Sequence, residues 1–322
     1  MNVSATFTIF TEISPTPSRL IQPVREDIIM STHQIKWKMA AFLGLTKKFF
    51  YYRIMSNVRT NYKEIIVMTI KFDMHCHSNY SDGNCTIEQI EKFCIKNNLG
   101  IALTDHNEIR GSVRLVERGN IFLIPGMEVS LKGGLELLIY FKHVEEMELF
   151  YRKQIEPFKK KCLIAYLEND LFHILETASD FNTYTSIPHP YSIIQILARK
   201  KLMRNSPQLI EYLFSKIDAI EVFNGNLSMK QNQNAQKLRE RYAKGQTIGS
   251  DAHDLKYFGF TNTLIQTTGL SYKDFFEALK HNNYKSIQYV ENKLRFIPIY
   301  KSMKTNIMHY FKCKIRTKFI RV

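Results

Sequence analysis

Groups of histidines or carboxylates recur along the middle of the chain, each following a short run of residues typical of a β-strand. The first group lies in the segment 73–77 (DMHCH) and is followed by Asp82. Alternation along a strand puts Asp73, His75 and His77 on one face. Both imidazoles can then reach one ion, while Asp73 orients one of the ligands without contacting the ion itself.

Four further groups follow later strand-like runs in the same way. In chain order they carry Asp105 with His106, Glu128, His189 before Pro190, and Asp251 with His253. Any one of them is commonplace, because a single histidine or aspartate near a strand end usually serves a hydrogen bond or a helix cap. Five such coincidences predict that imidazoles and carboxylates meet at one rim. This mixed donor set suits Zn²⁺, Mn²⁺ or Fe²⁺ better than Ca²⁺, which prefers oxygen alone.

The elements that must position these side chains form an alternating α/β pattern from about residue 70. Strand-like runs alternate with helical patterns, and the runs fall at residues 70–74, 101–104, 121–124, 135–141, 185–188, 219–223, 247–249 and 263–266. One helix is well marked, because Thr86 and Gln89 fit a capping box and Gly100 follows its end. Seven or eight such units favour a closed or distorted β/α barrel, with its site at the carboxyl ends of the strands.

Taken in order, the five groups resemble the motifs of the PHP (polymerase and histidinol phosphatase) family over about residues 70–295. The matching positions are His75, His77, Asp82, Asp105, His106, Glu128, His189, Asp251 and His253. The resemblance implies a distorted (β/α)7 TIM-like barrel that binds two or three divalent transition metals.

The resemblance also implies which side chains hold each metal. A first metal would take His75, His77, Glu128 and Asp251. Glu128 would bridge to a second metal, which His189 also binds, and a third metal would take Asp82, His106 and His253. Glu128 and Asp251 are thereby the candidate catalytic residues. Asn224, which follows a strand-like run, is the candidate substrate contact.

Glu136 departs from the family pattern, because many members place a histidine in the segment that resembles residues 134–140. In one interpretation Glu136 lies at the rim beside Glu128 and biases the second metal toward Mn²⁺ or Mg²⁺. In the other, strand alternation turns Glu136 away from the site, and His143 is a candidate substitute. If this departure removes the second metal from the site, the enzyme binds two metals.

The function that follows is that of a metal-dependent phosphoesterase acting on a nucleotide, a short oligonucleotide, a nucleic-acid end or a small phosphorylated metabolite. Metals about 3.5–4 Å apart can share a water, lower its pKa and neutralise the phosphoryl group as the bridging hydroxide attacks. An amidohydrolase-like metal hydrolase also begins with His-x-His on a barrel, but the pair Asp251-x-His253 speaks against it. A non-catalytic metal-binding module with nucleic-acid-binding tails is the third hypothesis.

Basic charge is concentrated at the two ends of the chain. The net charge of +15 divides into +5 for residues 1–70, +1 for residues 71–292 and +9 for residues 293–322. We therefore expect an N-terminal extension over 1–67, a PHP domain over 68–295 and a basic tail over 296–322. The ends are candidates for contact with nucleic acid or an anionic membrane, and residues 35–55 fit a basic amphipathic helix.

Cysteine spacing and hydropathy indicate a cytoplasmic protein. The five cysteines form no CxxC pair, which is typical of reduced thiols. No stretch approaches the roughly 18 apolar residues of a transmembrane segment, and the basic start of a signal peptide is missing.

Removal of residues 1–67 and 296–322 is expected to leave a folded core that hydrolyses small phosphate esters, because the predicted ligands lie between His75 and His253. Circular dichroism and turnover of p-nitrophenyl phosphate measure this. Joint loss of folding and turnover would show that the ends belong to the domain. Weaker polynucleotide binding with unchanged turnover would assign the ends to substrate delivery.

Overall fold

The computed structural model describes residues 8–10, 65–131, 133–159, 167–205 and 207–287. The helix expected over residues 35–55 and the basic tail over 296–322 lie outside these residues. The chain divides into a small unit over residues 7–67 and a main unit that resumes at Met68. In the small unit, β1 (Thr8–Phe10) pairs antiparallel with residues 65–67, the start of β2 (Ile65–Cys76).

The main unit alternates strands and helices, as the sequence predicts. Its strands after β2 are β3 (Leu99–Leu103), β4 (Gly126–Ser130), β5 (Glu136–Phe141), β6 (Thr183–Ile187), β7 (Ala219–Asn224), β8 (Gly245–Gly249), β9 (Asn262–Thr267) and β10 (Tyr284–Ile287). Its described α-helices are α1 (Ile87–Asn97), α2 (Arg110–Arg118), α3 (Val144–Phe150), α4 (Leu171–Ser179), α5 (Ile193–Asn205), α6 (Pro207–Lys216), α7 (Met229–Arg241) and α8 (Tyr272–Lys280). A π-helical turn (Tyr151–Ile155) and a 3₁₀ turn (Glu156–Phe158) follow α3.

Helix α1 begins as predicted and ends in a different way. Thr86 and Gln89 form the reciprocal capping box, in which each side chain accepts a hydrogen bond from the other residue's backbone N–H. The helix ends at Asn98, which adopts the left-handed conformation with φ 48°. Gly100 belongs to β3 instead, where a Cβ atom would lie 2.6 Å from the ring of Phe72. Close packing of strand against ring therefore accounts for this glycine.

The strands of the described residues form two five-stranded sheets, so the closed barrel expected from the sequence is not confirmed. In one sheet β2 lies between parallel β3 and antiparallel β9, and β10 pairs with β9. The other has the order β4-β5-β6-β7-β8, with β6 to β8 parallel and β5 antiparallel to both of its neighbours. Isolated bridges connect the sheets on both sides, at Cys76 with Ala252 and at His106 with Glu128.

The strand-like run at residues 121–124 forms only one isolated bridge, between Leu123 and Ile101. Glu128, which the sequence analysis assigned to the end of that run, instead lies within the next strand, β4. The sequence pattern thus indicated the right region for Glu128 but the wrong strand.

Strand β5 is buried on both faces and determines where Glu136 points. Leu137, Ile139 and Phe141 pack in a cluster with α3, α4 and α6, while Leu138 and Tyr140 pack toward β2 and α8. Glu136 shares its face with Leu138 by alternation, and Leu138 pairs with Glu128 across the sheet. Glu136 and Glu128 therefore face the same side.

None of the helices in the described residues combines the length and the hydropathy that crossing a bilayer requires.

Candidate metal centre

All eight predicted metal ligands meet at one end of the main unit. They come from β2 and the loop after it, from β4 and from the loops after β3, β6 and β8, and they are His75, His77, Asp82, His106, Glu128, His189, Asp251 and His253. Their donor atoms form overlapping groups, in each of which every donor lies within 4.8 Å of the others. Glu136 belongs to one of these groups, with His106 and Glu128.

The deepest donors belong to His75, His77, Glu128 and Asp251. His75, His77 and Asp251 share one group, and Glu128 shares another with His75 and His189. The Nε2 atoms of His75 and His77 are 3.1 Å apart, and His75 Nε2 is also 3.1 Å from Glu128 Oε2. Asp251 Oδ1 lies 3.3 Å from His77 Nε2. One proton on an imidazole can satisfy only one of these contacts, whereas a cation attracts all four donors.

A second group lies around Glu136. His189 Nε2 is 3.3 Å from Glu128 Oε1 and 3.7 Å from Glu136 Oε2. The Ser130 hydroxyl donates to Glu136 Oε1 and the Gln195 amide donates to Oε2, at 3.3 Å and 3.1 Å. These contacts place Glu136 at the rim, as in the first interpretation. The alternative residue, His143, precedes α3 and belongs to no donor group within the described residues.

The third group is the most exposed. Asp82 Oδ2 lies 2.9 Å from His253 Nε2 and 3.7 Å from His106 Nε2. The His77 ring lies between those of His106 and His253, with centroid distances of 4.7 Å and 4.5 Å. The side chains of Asp82, His106 and His253 are 19%, 21% and 29% exposed, whereas His77 is fully buried.

Several buried donor atoms have no hydrogen-bond partner among the described residues. Three of them, His77 Nδ1, Glu128 Oε1 and His189 Nδ1, belong to predicted ligands, and others belong to residues such as Tyr184 and Thr263. A buried polar atom left without a partner costs about 1–3 kcal/mol, so such atoms at a site of this composition fit bound cations. Oxygen and imidazole donors together are the ligands that Zn²⁺, Mn²⁺ and Fe²⁺ accept. The residues present therefore fit divalent metals.

Electrostatics favours ionised Glu128 and Asp251 and a neutral His77, whereas for His75, His106, His189 and His253 burial is outweighed by neighbouring carboxylates, which raise the pKa. Burial opposes ionisation of Glu128, but the adjacent His75 and His106 hold its pKa well below its usual range. The pKa of Asp251 is also well below its ordinary value, because the effect of burial is outweighed by that of His75. For His77, burial and the neighbouring His253 lower the pKa to about 4. Ionised carboxylates and a neutral imidazole are the ligating forms.

Two aspartates accept hydrogen bonds from the loops of the site and not from an imidazole ring. Asp73, buried with its pKa raised to about 6 by desolvation, accepts hydrogen bonds from the backbone N–H groups of Ser250 and Gly259. Asp105 accepts from the hydroxyls of Ser78 and Ser81 at 2.7 Å and 2.6 Å. Asp73 therefore contacts the backbone, and its role in orienting a ligand stays a prediction.

The backbone at two ligand positions adopts the left-handed region that favours glycine. His189 has φ 27° and Asp251 has φ 52°. Such conformations cost about 1–3 kcal/mol for other residues and cluster at functional sites. Just before Asp251, Gly249 lies so close to β2 that a Cβ atom there would overlap the His75 side chain. The chain thus accepts local strain where it presents these two ligands.

Glu221 is a site residue that the sequence analysis missed. Its Oε1 atom lies 3.0 Å from His75 Nδ1, and its Oε2 atom accepts from the backbone N–H of His189 and from the Asn224 amide. The carboxylate thus fixes both the ring of one proposed ligand and the loop of another. A signal was present, because a glutamate inside the apolar run 219–223 must be buried, and a buried carboxylate requires partners.

Asn224, the predicted substrate contact, is fully buried beside the ligands. Its amide donates to Glu221 Oε2 at 2.9 Å and to Asp251 Oδ2 at 3.3 Å, and its carbonyl oxygen accepts from the backbone N–H of Asn226. These contacts favour a role in holding Asp251. A direct contact with substrate stays a prediction.

Comparison with known families identifies the class of protein. The PHP domain family model matches residues 73–247, and the PHP-associated model matches residues 230–284. The chain belongs to the PHP family, which confirms the resemblance seen in the sequence.

Three relatives illustrate the similarity. The chain is 29% identical to an uncharacterized protein of Methanocaldococcus jannaschii over 222 residues, which cover 66% of this chain and 79% of that protein. It resembles the lesion-specific endonuclease PfuEndoQ of Pyrococcus furiosus with a TM-score of 0.54 and 17% identity, over 68% of this chain and 58% of the endonuclease. A structure of Endonuclease Q with a 27-mer duplex that has an abasic lesion at the active site gives a TM-score of 0.53 and 17% identity, over 66% and 57% of the two chains. The chain thus spans under three fifths of these endonucleases, and the likeness concerns the fold.

The variant Glu221→Gln is expected to bind metal about tenfold to a hundredfold more weakly, because a neutral amide no longer supports His75 Nδ1. Competition with a chelator measures the affinity. Glu91→Gln is the matched control, since Glu91 is also buried but pairs with Arg118 away from the site. Equal affinity losses in both variants, or none in Glu221→Gln, would contradict the positioning role.

Proposed function

We propose that the chain is a metal-dependent phosphoesterase that hydrolyses a phosphate ester of a nucleotide, a short oligonucleotide or a small phosphorylated metabolite. The observation that carries the proposal is the convergence of five histidines and four carboxylates, some with unpartnered buried donor atoms, in a chain of the PHP family. Divalent metals bound there would acidify water and neutralise a phosphoryl group. No serine or cysteine nucleophile is needed.

The proposed ligand sets follow the donor groups. One ion would take His75, His77 and Asp251 together with Glu128, whose Oε2 lies 3.1 Å from His75 Nε2 and 3.4 Å from His77 Nε2. Another would take Asp82, His106 and His253. A further ion would be held by Glu128 and His189, and we add Glu136 to the proposed ligands of that ion. Glu128 suits a bridging role because Oε2 lies 3.1 Å from His75 and Oε1 lies 3.3 Å from His189.

The residues of the proposed site differ in their exposure to water, and we assign their roles accordingly. His75, His77 and Glu128 are shielded from water and keep the charged centre in place, with Glu221 and Asn224 behind them. Asp82, His106 and His253 form the exposed face, so we place the substrate phosphate against them. Asp251, 14% exposed, joins the buried and exposed groups, because Oδ1 faces both His77 and His253.

The proposed domain covers residues 68–295, and we propose that its strands follow the distorted (β/α)7 barrel of the family. The two sheets and the isolated bridges at both pairs of edges support this arrangement. Nucleic acid is a proposed substrate class because the fold resembles Endonuclease Q, whose structure contains a DNA duplex.

Purified protein is expected to contain two or three equivalents of transition metal and to hydrolyse phosphate monoesters or diesters. His75→Ala and Asp251→Ala should each abolish both properties, because loss of a ligand leaves an open and poorly neutralised site. Elemental analysis and a phosphate-release screen measure the two properties. His173→Ala is the control, since His173 lies on α4 and contacts Gln154. A His75 variant with full metal content and full turnover would end the assignment.

The variant Glu136→His is expected to raise zinc retention and to change the metal that supports the fastest turnover. Burial and the adjacent Glu128 raise the Glu136 pKa, which indicates two carboxylates competing for one position. A divalent ion relieves their repulsion, and oxygen donors favour Mn²⁺ or Mg²⁺ over Zn²⁺. Competitive metal binding followed by elemental analysis measures the preference without reference to activity. An unchanged preference would remove Glu136 from the ligand set.

A further inference from the structure

Helix α5 exposes a surface that is apolar in its first turns and cationic in its last turns. The side chains of Ile193, Ile194 and Leu197 are 61%, 60% and 61% exposed, more than any other large hydrophobic side chain in the described part of the chain. Three exposed cations follow them along the same helix. We call this surface the α5 face, and it consists of Ile193, Ile194, Leu197, Lys200, Lys201 and Arg204.

The spacing of these residues places their side chains next to one another. Positions 193, 197, 200 and 204 follow at intervals of four, three and four residues, so they form one row along the helix. Positions 194 and 201 form a parallel row beside it. Gln195 and Ala198, on the opposite side, are buried. The α5 face is therefore one continuous surface.

Contacts on the other side of α5 hold the helix against the main unit. The Gln195 amide donates to Glu136 Oε2 at 3.1 Å. Leu202 packs, partly buried, on the hydrophobic cluster that contains Leu137 and Ile139. Because these contacts use the opposite side of the helix, burial of the α5 face needs a separate partner.

The charge of the α5 face restricts what that partner can be. Residues 193–205 contain no carboxylate. None of Lys200, Lys201 and Arg204 has a carboxylate within ion-pair distance among the residues that the structure describes. A partner must therefore cover aliphatic side chains and supply negative charge beside them. A bilayer with anionic headgroups does both, because aliphatic side chains enter the acyl boundary while lysine and arginine contact the headgroups.

Other partners fit the α5 face less well. Nucleic-acid bases stack on aromatic rings, and residues 193–205 contain none. A second copy of the chain would bring two sets of three cations together, with no carboxylate from either α5 to offset their repulsion. A peptide helix usually docks in a groove, whereas the α5 face is the convex side of a helix.

We propose that the α5 face docks the protein on an anionic lipid bilayer. Ile193, Ile194 and Leu197 enter the acyl boundary, and the three cations contact headgroup phosphates. The inference is independent of the proposed phosphoesterase function. Because α5 begins four residues after His189, docking brings the candidate metal centre to the membrane surface.

The test measures quenching of a single tryptophan by lipids with brominated acyl chains. Trp37, the one tryptophan of the chain, is removed by Trp37→Phe, and Leu197→Trp or Ile193→Trp is then introduced into the full chain. Ile95→Trp is the matched control, since Ile95 lies on α1 and is 57% exposed. The vesicles contain brominated phosphatidylcholine and phosphatidylglycerol, and vesicles of the same composition without bromine give the reference.

The brominated vesicles are expected to reduce the fluorescence of Leu197→Trp and Ile193→Trp and to leave that of Ile95→Trp unchanged. The basic ends of the chain can attract a vesicle, but they cannot bring a tryptophan on α5 into the acyl chains. Equal quenching of the three variants, or quenching of none, overturns the docking surface.

A charge variant tests the cationic part of the α5 face. Lys201→Gln should weaken vesicle binding by about fivefold more than Lys92→Gln, the effect of one cation near an anionic surface. Lys92 is the matched control because it is an exposed lysine on α1. Equal binding by the two variants contradicts the contact with headgroups.

Two further measurements detect the other partners. A fluorescence change of Leu197→Trp with a single-stranded oligonucleotide, but none with vesicles, would assign the α5 face to nucleic acid. Sedimentation gives the oligomeric state, and a dimer that Leu197→Ser converts into a monomer would assign the face to a second copy of the chain. Either result overturns docking on a bilayer.

Discussion

Glu128 is surrounded by four imidazoles, and the arrangement of the neighbouring chain depends on that contact. The carboxylate oxygens lie 3.1–3.4 Å from ring nitrogens of His75, His77, His106 and His189, at a position with 1% side-chain exposure. An isolated carboxylate in such a place would cost several kcal/mol or take up a proton. The neighbouring imidazoles of His75 and His106 keep it charged, and a bound divalent cation would do the same. Every element that brings a histidine to Glu128 therefore contributes to the same electrostatic balance.

The elements around Glu128 are held by polar groups that never reach the centre. Glu221 links His75 on β2 to the His189 loop, and Asp73 links β2 to the loop after β8. These carboxylates bind backbone N–H groups as well as side chains, so they fix loop conformation and ring orientation together. The strained backbone at His189 and Asp251 can persist because such contacts determine it from several sides.

The sequence was sufficient to predict which side chains meet at the site and insufficient to predict which residues support them. Although any one group of histidines or carboxylates is commonplace, five such groups in chain order predicted one rim, and all eight side chains meet there. The closed barrel could not be predicted with equal force, because strand pairing depends on contacts between distant residues. Glu221 escaped notice for a related reason, since its partner His75 lies 146 positions away. The position of Glu136 became clear only through the register of β5 against β4.

Depth separates the site into two regions with different access to water. The side chains of His75, His77 and Glu128 are at most 1% exposed, whereas those of Asp82, His106 and His253 are 19–29% exposed. An ion among the first set would be screened little by solvent and would exchange slowly, while one among the second would exchange readily with water or a phosphate oxygen. The end of β2 accounts for the difference, because His75 lies in this strand and His77 directly follows it, whereas Asp82 comes from the turn beyond. In the proposed phosphoesterase a substrate would therefore approach from the side of that turn.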